Sequence, residues 1–172
     1  MKNNSLNLTH AAIIAALYAV LTHMQNLLFP GSTSWAIQMR LSEALCVLAF
    51  FTPSAIPGLT LGCLLFNITF SAALPLDFLV GSLATYLAAW SMWKLRKLQV
   101  FGLPMLGLLM PALANAILVG WELTVYIGGG FLLNALFVAI GELAVLGTLG
   151  ILLYETIRKR NLHTRIFGNL AG

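Results

Sequence analysis

Charge is scarce in this sequence: nine Lys and Arg and five Asp and Glu make 8% of 172 residues, where a soluble domain carries about 25%. So few ionisable groups cannot solvate the surface of a water-soluble domain, which excludes a soluble enzyme, a secreted disulfide scaffold and a disordered regulator. Cysteine is nearly absent, and both copies, Cys46 and Cys63, lie in apolar segments, where they read as small core filler rather than a redox or metal pair. Catalytic motifs are missing as well. No Gly-x-x-x-x-Gly-Lys-Ser/Thr loop is present, so the chain does not itself cradle ATP phosphates. It has no His-Glu-x-x-His metal site, and no serine has a histidine at matching membrane depth. No catalytic, metal or cofactor residues are expected.

What the chain has in abundance is apolar length. Sixty per cent of it is hydrophobic, and mean hydropathy is +0.93, the signature of an integral membrane protein. The pI of about 9.4 then concerns membrane orientation, and nucleic acid is not implied. Lys2 followed by Ala11 to Leu21 imitates a signal peptide, but no small-x-small cleavage site follows, so a retained first helix is expected.

Breakers divide the chain into six expected helices in one domain, residues 1–172. They run over Thr9–Phe29, Leu41–Phe51, Pro57–Ala73, Leu76–Leu95, Pro104–Tyr126 and Phe131–Ile157, and Pro30-Gly31, Pro53, Pro57 and Gly128-Gly129-Gly130 punctuate them. The second is too short to cross a core of about 30 Å as an α-helix unless it tilts, extends or is sheltered by its neighbours. An even count puts both termini on one side. Lys2, Lys94, Arg96, Lys97, Arg158, Lys159, Arg160 and Arg165 then share that side, leaving only Arg40 opposite, and the positive-inside rule makes it cytoplasmic. The expected fold is therefore an all-α, six-span membrane protein with both termini cytoplasmic.

Polar residues stand out against this background. Glu142 lies eleven residues into the last helix, roughly 16 Å down at 1.5 Å per residue, where a carboxylate costs about 3 kcal/mol and needs a partner or a cavity. Glu43, Asp77 and Glu122 lie towards the outer face, with the amides of Asn67 and Asn115. Arg40 and Glu43, three apart, could form a salt bridge or bind a ligand. Asn115, Glu122 and Tyr126 align on one stripe of the fifth helix, read as a cavity lining against the alternative of helix-to-helix hydrogen bonding. Trp90 and Trp93 precede Lys94 as an inner aromatic belt would. Trp35 and Trp121 are either belt residues or stacking partners for a flat ligand. His10 and His23 read as packing or interface residues, and His163 falls in the polar tail. On the first helix Ala11, Ala15 and Ala19, with Ala12 and Ala16 beside them, form a small-residue strip that another helix can approach closely, in this chain or in a partner.

The ordered set Arg40-Leu41-Ser42-Glu43-Ala44-Leu45, Thr52-Pro53-Ser54-Ala55-Ile56-Pro57-Gly58, Gly62-Cys63-Leu64-Leu65-Phe66-Asn67, Gly81-Ser82-Leu83-Ala84-Thr85 and Asn115-Ala116-Ile117-Leu118-Val119-Gly120-Trp121-Glu122 resembles the QueT family. The likeness extends over about His10 to Tyr154; the stretch Ile68 to Leu76 carries less glycine than that pattern. The resemblance implies an S component, the substrate-binding subunit of an energy-coupling factor transporter in the cell membrane, taking up a queuosine precursor. It implies a loop after the first helix acting as a lid, and partners in a membrane T subunit and two ABC ATPases, which would bind the ATP. By the same resemblance the alanine strip Ala11, Ala12, Ala15, Ala16 and Ala19 contacts the T subunit. Trp35, Arg40, Glu43, Asn67, Asp77, Asn115, Trp121, Glu122, Tyr126 and Glu142 are the candidate substrate-binding residues, for a base such as aminomethyl-deazaguanine or queuine. A proton- or cation-conducting protein with Glu43, Glu122 and Glu142 as a relay is the alternative from another class.

Overall fold

The computed structural model describes residues 2–33, 39–70 and 74–168, and those residues form helices joined by short connections. Helix α1 covers Lys2–Leu28, a 3₁₀ helix covers Leu41–Phe50, and α2, α3 and α4 cover Ala55–Thr69, Asp77–Leu95 and Met105–Tyr126. The last long column is α5 (Phe131–Val145), a π turn (Leu146–Gly150) and α6 (Ile151–Lys159), and a short α7 (Leu162–Phe167) follows. Pro57 falls in the first turn of α2, where its missing N–H has no intrahelical partner to lose. The sequence placed the start of α1 seven residues too late, and it foresaw neither the π turn nor α7.

Among the described residues three helices, Asn4–Leu28, Met105–Tyr126 and Phe131–Lys159, are long and apolar enough to cross a membrane, and Leu41–Phe50 and Ala55–Thr69 are shorter apolar helices. The outward faces are hydrophobic at helical spacing: Ile13, Leu17 and Val20 on α1, Leu109, Leu113 and Ile117 on α4, and Leu132, Leu136 and Ile140 on α5 are all exposed. A surface of this kind is stable against lipid and not against water. Polar groups are buried instead, Thr22, Arg40, Ser42, Glu43, Asn67, Glu122 and Glu142 among them.

The 3₁₀ helix is the axis of the bundle. It contacts α1 to α6 and the π turn, and buries Ser42, Glu43, Ala44, Cys46, Val47, Ala49 and Phe50. At a rise of about 2.0 Å per residue its ten residues extend about 20 Å, against about 15 Å as an α-helix. Tight winding and shelter on every side thus resolve the shortness of this segment. The stretched 3₁₀ helix lies against the widened π turn, where a Cβ on Gly150 would stand 3.4 Å from Val47 Cγ1.

Around this axis α1 packs on α2, α2 on α3, α3 on α4 and α4 on α5. Helices α1 and α2 run parallel and approach through glycine. A Cβ on Gly58 would lie 2.8 Å from the Ala11 carbonyl oxygen, and one on Gly62 would lie 2.7 Å from Tyr18 Cβ. Gly58-x-x-x-Gly62 against Ala11-x-x-x-Ala15 is the small-residue contact by which membrane helices gain van der Waals packing. At one end of the bundle Phe51 stacks on Tyr154 and His163, and His10 meets Phe167 edge-on. Arg158 Nη1 donates to the Gly102 carbonyl at 2.5 Å, so the basic α3–α4 connection and the basic tail share that end.

Candidate functional site

One face of α1 carries Ile14, Tyr18, Thr22 and Gln25 into the interior, the 3–4 spacing of an amphipathic helix turned inside out. Thr22 Oγ donates to Ser42 Oγ at 2.7 Å. The Tyr18 hydroxyl donates to Glu43 Oε1, and Cys46 Sγ donates to Glu43 Oε2 at 3.1 Å. Both oxygens of Glu43 are therefore engaged, one fixing the 3₁₀ helix to α1 and the other bonded within the 3₁₀ helix itself. Gln25 ties down the far end of α1: its Oε1 accepts from the Leu41 amide at 2.7 Å, and its Nε2 donates to Ser32 Oγ at 3.0 Å and to the Met39 carbonyl.

Arg40 precedes the 3₁₀ helix in an extended conformation, φ −89° and ψ 109°, which swings its side chain away from Glu43. The salt bridge between Arg40 and Glu43 that their spacing allowed is not the one formed. Arg40 Nη2 lies 3.5 Å from Asp77 Oδ2 on α3. Its Nε donates to the Thr33 carbonyl at 3.4 Å and its Nη1 to Cys63 Sγ at 3.9 Å, while the guanidinium carbon stands 5.6 Å from the centre of the Phe66 ring. Asn67 completes this group by donating to the Asp77 carbonyl at 2.8 Å. Gly81 makes room for it, since a Cβ there would lie 2.8 Å from Asn67 Nδ2.

Asn115 Nδ2 of α4 donates to Glu142 Oε1 of α5 at 2.9 Å. Glu122, two turns beyond Asn115, is fully buried at 0% exposure. Neither of its oxygens has a hydrogen-bond partner among the described residues. Val119 and Leu123 pack with Val138 beside it, and Gly120 brings α4 against the backbone of Ala135. Four carboxylates and one guanidinium thus occupy the interior. With every group ionised they sum to three negative charges, an arrangement that attracts a cation or proton donors and repels an anion.

The structure draws together Arg40, Asn67 and Asp77, joins Asn115 to Glu142, and buries Glu43 and Glu122 in the same interior. It does not bring Trp121 or Tyr126 into that group, for they are 49% and 42% exposed on the outer surface of α4. Trp35 lies outside the described residues. The alanine strip divides. Ala11 and Ala15 are covered by α2, Ala12 and Ala16 are exposed, and Ala19 is intermediate. Tyr18, Gln25, Cys46 and Cys63 were not singled out as site residues in the sequence, and the signal was present for the first two, as polar groups on the face of α1 that carries Ile14 and Thr22. The cysteines gave none.

An apolar cleft of about 700 Å³ opens at the end of the bundle away from the basic residues, where Leu28, Phe29 and Met39 face Val145 and Thr148. None of the buried charged residues lines it.

The sequence model of the QueT transporter family matches residues 8–159 of the chain. The chain belongs to that family. It is a family of transporters, not enzymes, and with several apolar helices the chain is a multi-pass membrane protein. A stretch of 85 residues is 36% identical to the queuosine precursor transporter QueT of Lactococcus lactis subsp. cremoris (strain MG1363), covering 49% of this chain and 47% of that protein. The chain thus aligns with about half the length of that relative. No solved structure matches it.

Proposed function

We propose that the chain is the substrate-binding S component of an energy-coupling factor transporter, and that its substrate is a queuosine precursor of the deazaguanine class, the aminomethyl base or queuine. It forms one six-span domain of the cell membrane with both termini in the cytoplasm. Six helical columns and the gathering of the basic connection and tail at one end support that topology.

The observation that carries the reading is the excess of buried acceptors in a member of this transporter family. A guanine-like edge presents adjacent N–H donors that a carboxylate accepts as a fork, and charge-assisted bonds of this kind are roughly twice as strong as neutral ones. An aminomethyl group adds a cation. Glu142 and Glu122 supply the acceptors, Asn67 offers its free Oδ1, and the amide of Asn115 and the guanidinium of Arg40 supply donors for the base's carbonyl. Glu43, Asp77 and the hydrogen bonds of Gln25 hold the start of the 3₁₀ helix in place. A membrane T subunit and two ABC ATPases would then drive uptake, docking on the exposed part of the alanine strip.

Uptake of labelled aminomethyl-deazaguanine into proteoliposomes, with and without the ATPase module, tests the reading. Accumulation must require both ATP and the module. Ion current through the purified chain alone, with no binding of the base, overturns it in favour of a carboxylate relay.

A further inference from the structure

The four buried carboxylates are not equivalent. Glu43 receives the Tyr18 hydroxyl on one oxygen and the Cys46 thiol on the other. Asp77 is paired with Arg40 at 3.5 Å. Glu142 has one oxygen on Asn115 at 2.9 Å and one free. Only Glu122 has both oxygens unpartnered among the described residues, at 0% exposure. An ionised carboxylate in such a place requires a cation or several donors. The one buried Lys or Arg among the described residues is Arg40, and it already serves Asp77, the Thr33 carbonyl and Cys63.

The unpaired atoms within this polar group are Glu122 Oε1 and Oε2, Glu142 Oε2 and Asn67 Oδ1, together with the Thr33 hydroxyl. Except for that hydroxyl they are acceptors; the donor nitrogens of Arg40, Asn67 and Asn115 each serve an acceptor of the chain, with further N–H groups on Arg40 and Asn115 left for a ligand carbonyl. The complementary ligand is therefore rich in donors and positively charged. Among the described residues no group of three or more His, Cys, Asp or Glu side chains could hold a metal ion, and an organic cation is the complement that the carrier reading supplies.

We infer that Glu122 is the specificity-determining residue that binds the ammonium of the ligand's side arm, while Glu142 Oε2 and Asn67 Oδ1 take N–H groups of the ring. This rests on reading the chain as a carrier of an aminomethyl-substituted base, and it assigns one carboxylate of that site to one group of the ligand. Glu122 lies two turns along α4 from Asn115, the partner of Glu142, so the residue that takes the arm and the residue that orients Glu142 share one face of α4. Glu43, with both oxygens engaged, is a positioning residue that acts through the 3₁₀ helix.

The test is a binding titration on the full chain in nanodiscs with two probes, aminomethyl-deazaguanine and its uncharged methyl analogue. Glu122→Gln should weaken the aminomethyl ligand by about 30- to 5,000-fold, the range for truncating one partner of a buried charge pair, and leave the methyl analogue within about threefold. Equal loss of both probes in a folded variant places Glu122 on the ring edge or in the framework and overturns the assignment, as does no loss of either. Should Glu122→Gln fail to fold, Glu122→Asp keeps the charge but withdraws it by a methylene, and must lose the aminomethyl probe selectively for the assignment to stand. If the parent chain binds neither probe, the carrier reading itself falls; if it binds both and the Glu122 variants do not discriminate, only the assignment does.

Discussion

Arg40 and Asp77 stand 3.5 Å apart in the interior, joining the start of the 3₁₀ helix to the start of α3. The two residues lie 37 positions apart in the chain, and this charge pair clamps the two elements together. Removing one partner of a buried pair leaves an uncompensated charge and costs about 3–5 kcal/mol. Asp77→Asn should lower the unfolding free energy of the detergent-solubilised chain by that amount. The double variant Arg40→Met, Asp77→Leu should recover most of it, because no charge is left stranded. A double-mutant cycle in denaturant reads the coupling, and additive effects of the two single changes would show that the pair is not the clamp.

Tyr18→Phe removes the hydroxyl that serves Glu43 Oε1 while preserving the ring in its fully buried position. Leaving a buried acceptor unsatisfied costs about 1–3 kcal/mol. Thermal unfolding should register that loss, and Cys46→Ala should give a smaller one, since a thiol is a weak donor. An unchanged midpoint in Tyr18→Phe would mean that Glu43 finds another donor.

Much of this architecture was legible in the sequence because lipid enforces a simple code of apolar runs broken by Pro, Gly and charge. The ends of α3 and α4 and the start of α5 were placed to within a residue where Asp77, Pro104 and the glycine triplet mark them. Winding was not legible. Nothing in Leu41–Phe50 distinguishes a 3₁₀ helix from an α-helix, because the choice is made by the length the segment must extend and by the neighbours that enclose it. The site residues were visible as polar types in apolar surroundings, but partner choice was not. Arg40 and Glu43 are three apart, and only the extended backbone at Arg40 sends its side chain to α3. Trp121 adjoins Glu122 in sequence and faces the other way, as the 100° step between successive helical residues requires.

Gly62 tests the parallel contact of α1 and α2. A Cβ there would fall 2.7 Å from Tyr18 Cβ and 2.8 Å from the Ala15 carbonyl oxygen, and neither a backbone nor a Cβ can withdraw without moving the helix. Overpacking of this kind costs about 1–3 kcal/mol, so Gly62→Ala should destabilise the chain by that amount. Gly147→Ala, where an added Cβ meets nothing within 4 Å, should leave stability unchanged or raise it by up to about 1 kcal/mol, the helical preference of Ala over Gly. Equal midpoints for the two variants would sink the close-approach account.

The alanine strip on α1 yields the prediction about assembly. Ala15 is 5% exposed and lies under α2, with its carbonyl against Gly62, so Ala15→Trp should disrupt the chain's own fold rather than a partner contact. Ala12 and Ala16 are exposed on the same helix, and a tryptophan at either place meets lipid in the isolated chain at no packing cost. If the T subunit docks there, Ala16→Trp should leave binding of the base by the isolated chain within about threefold of the parent, under roughly 0.7 kcal/mol. It should nevertheless abolish co-purification with the T subunit, because small residues are what let two membrane helices approach closely. Co-expression with the energy-coupling module, affinity capture of the T subunit and a ligand titration on the free chain separate the two effects. Retained co-purification by both Ala12→Trp and Ala16→Trp would move the docking surface to another face of the bundle. Loss of ligand binding by folded Ala16→Trp would instead mean that this face of α1 supports the binding site from within the chain.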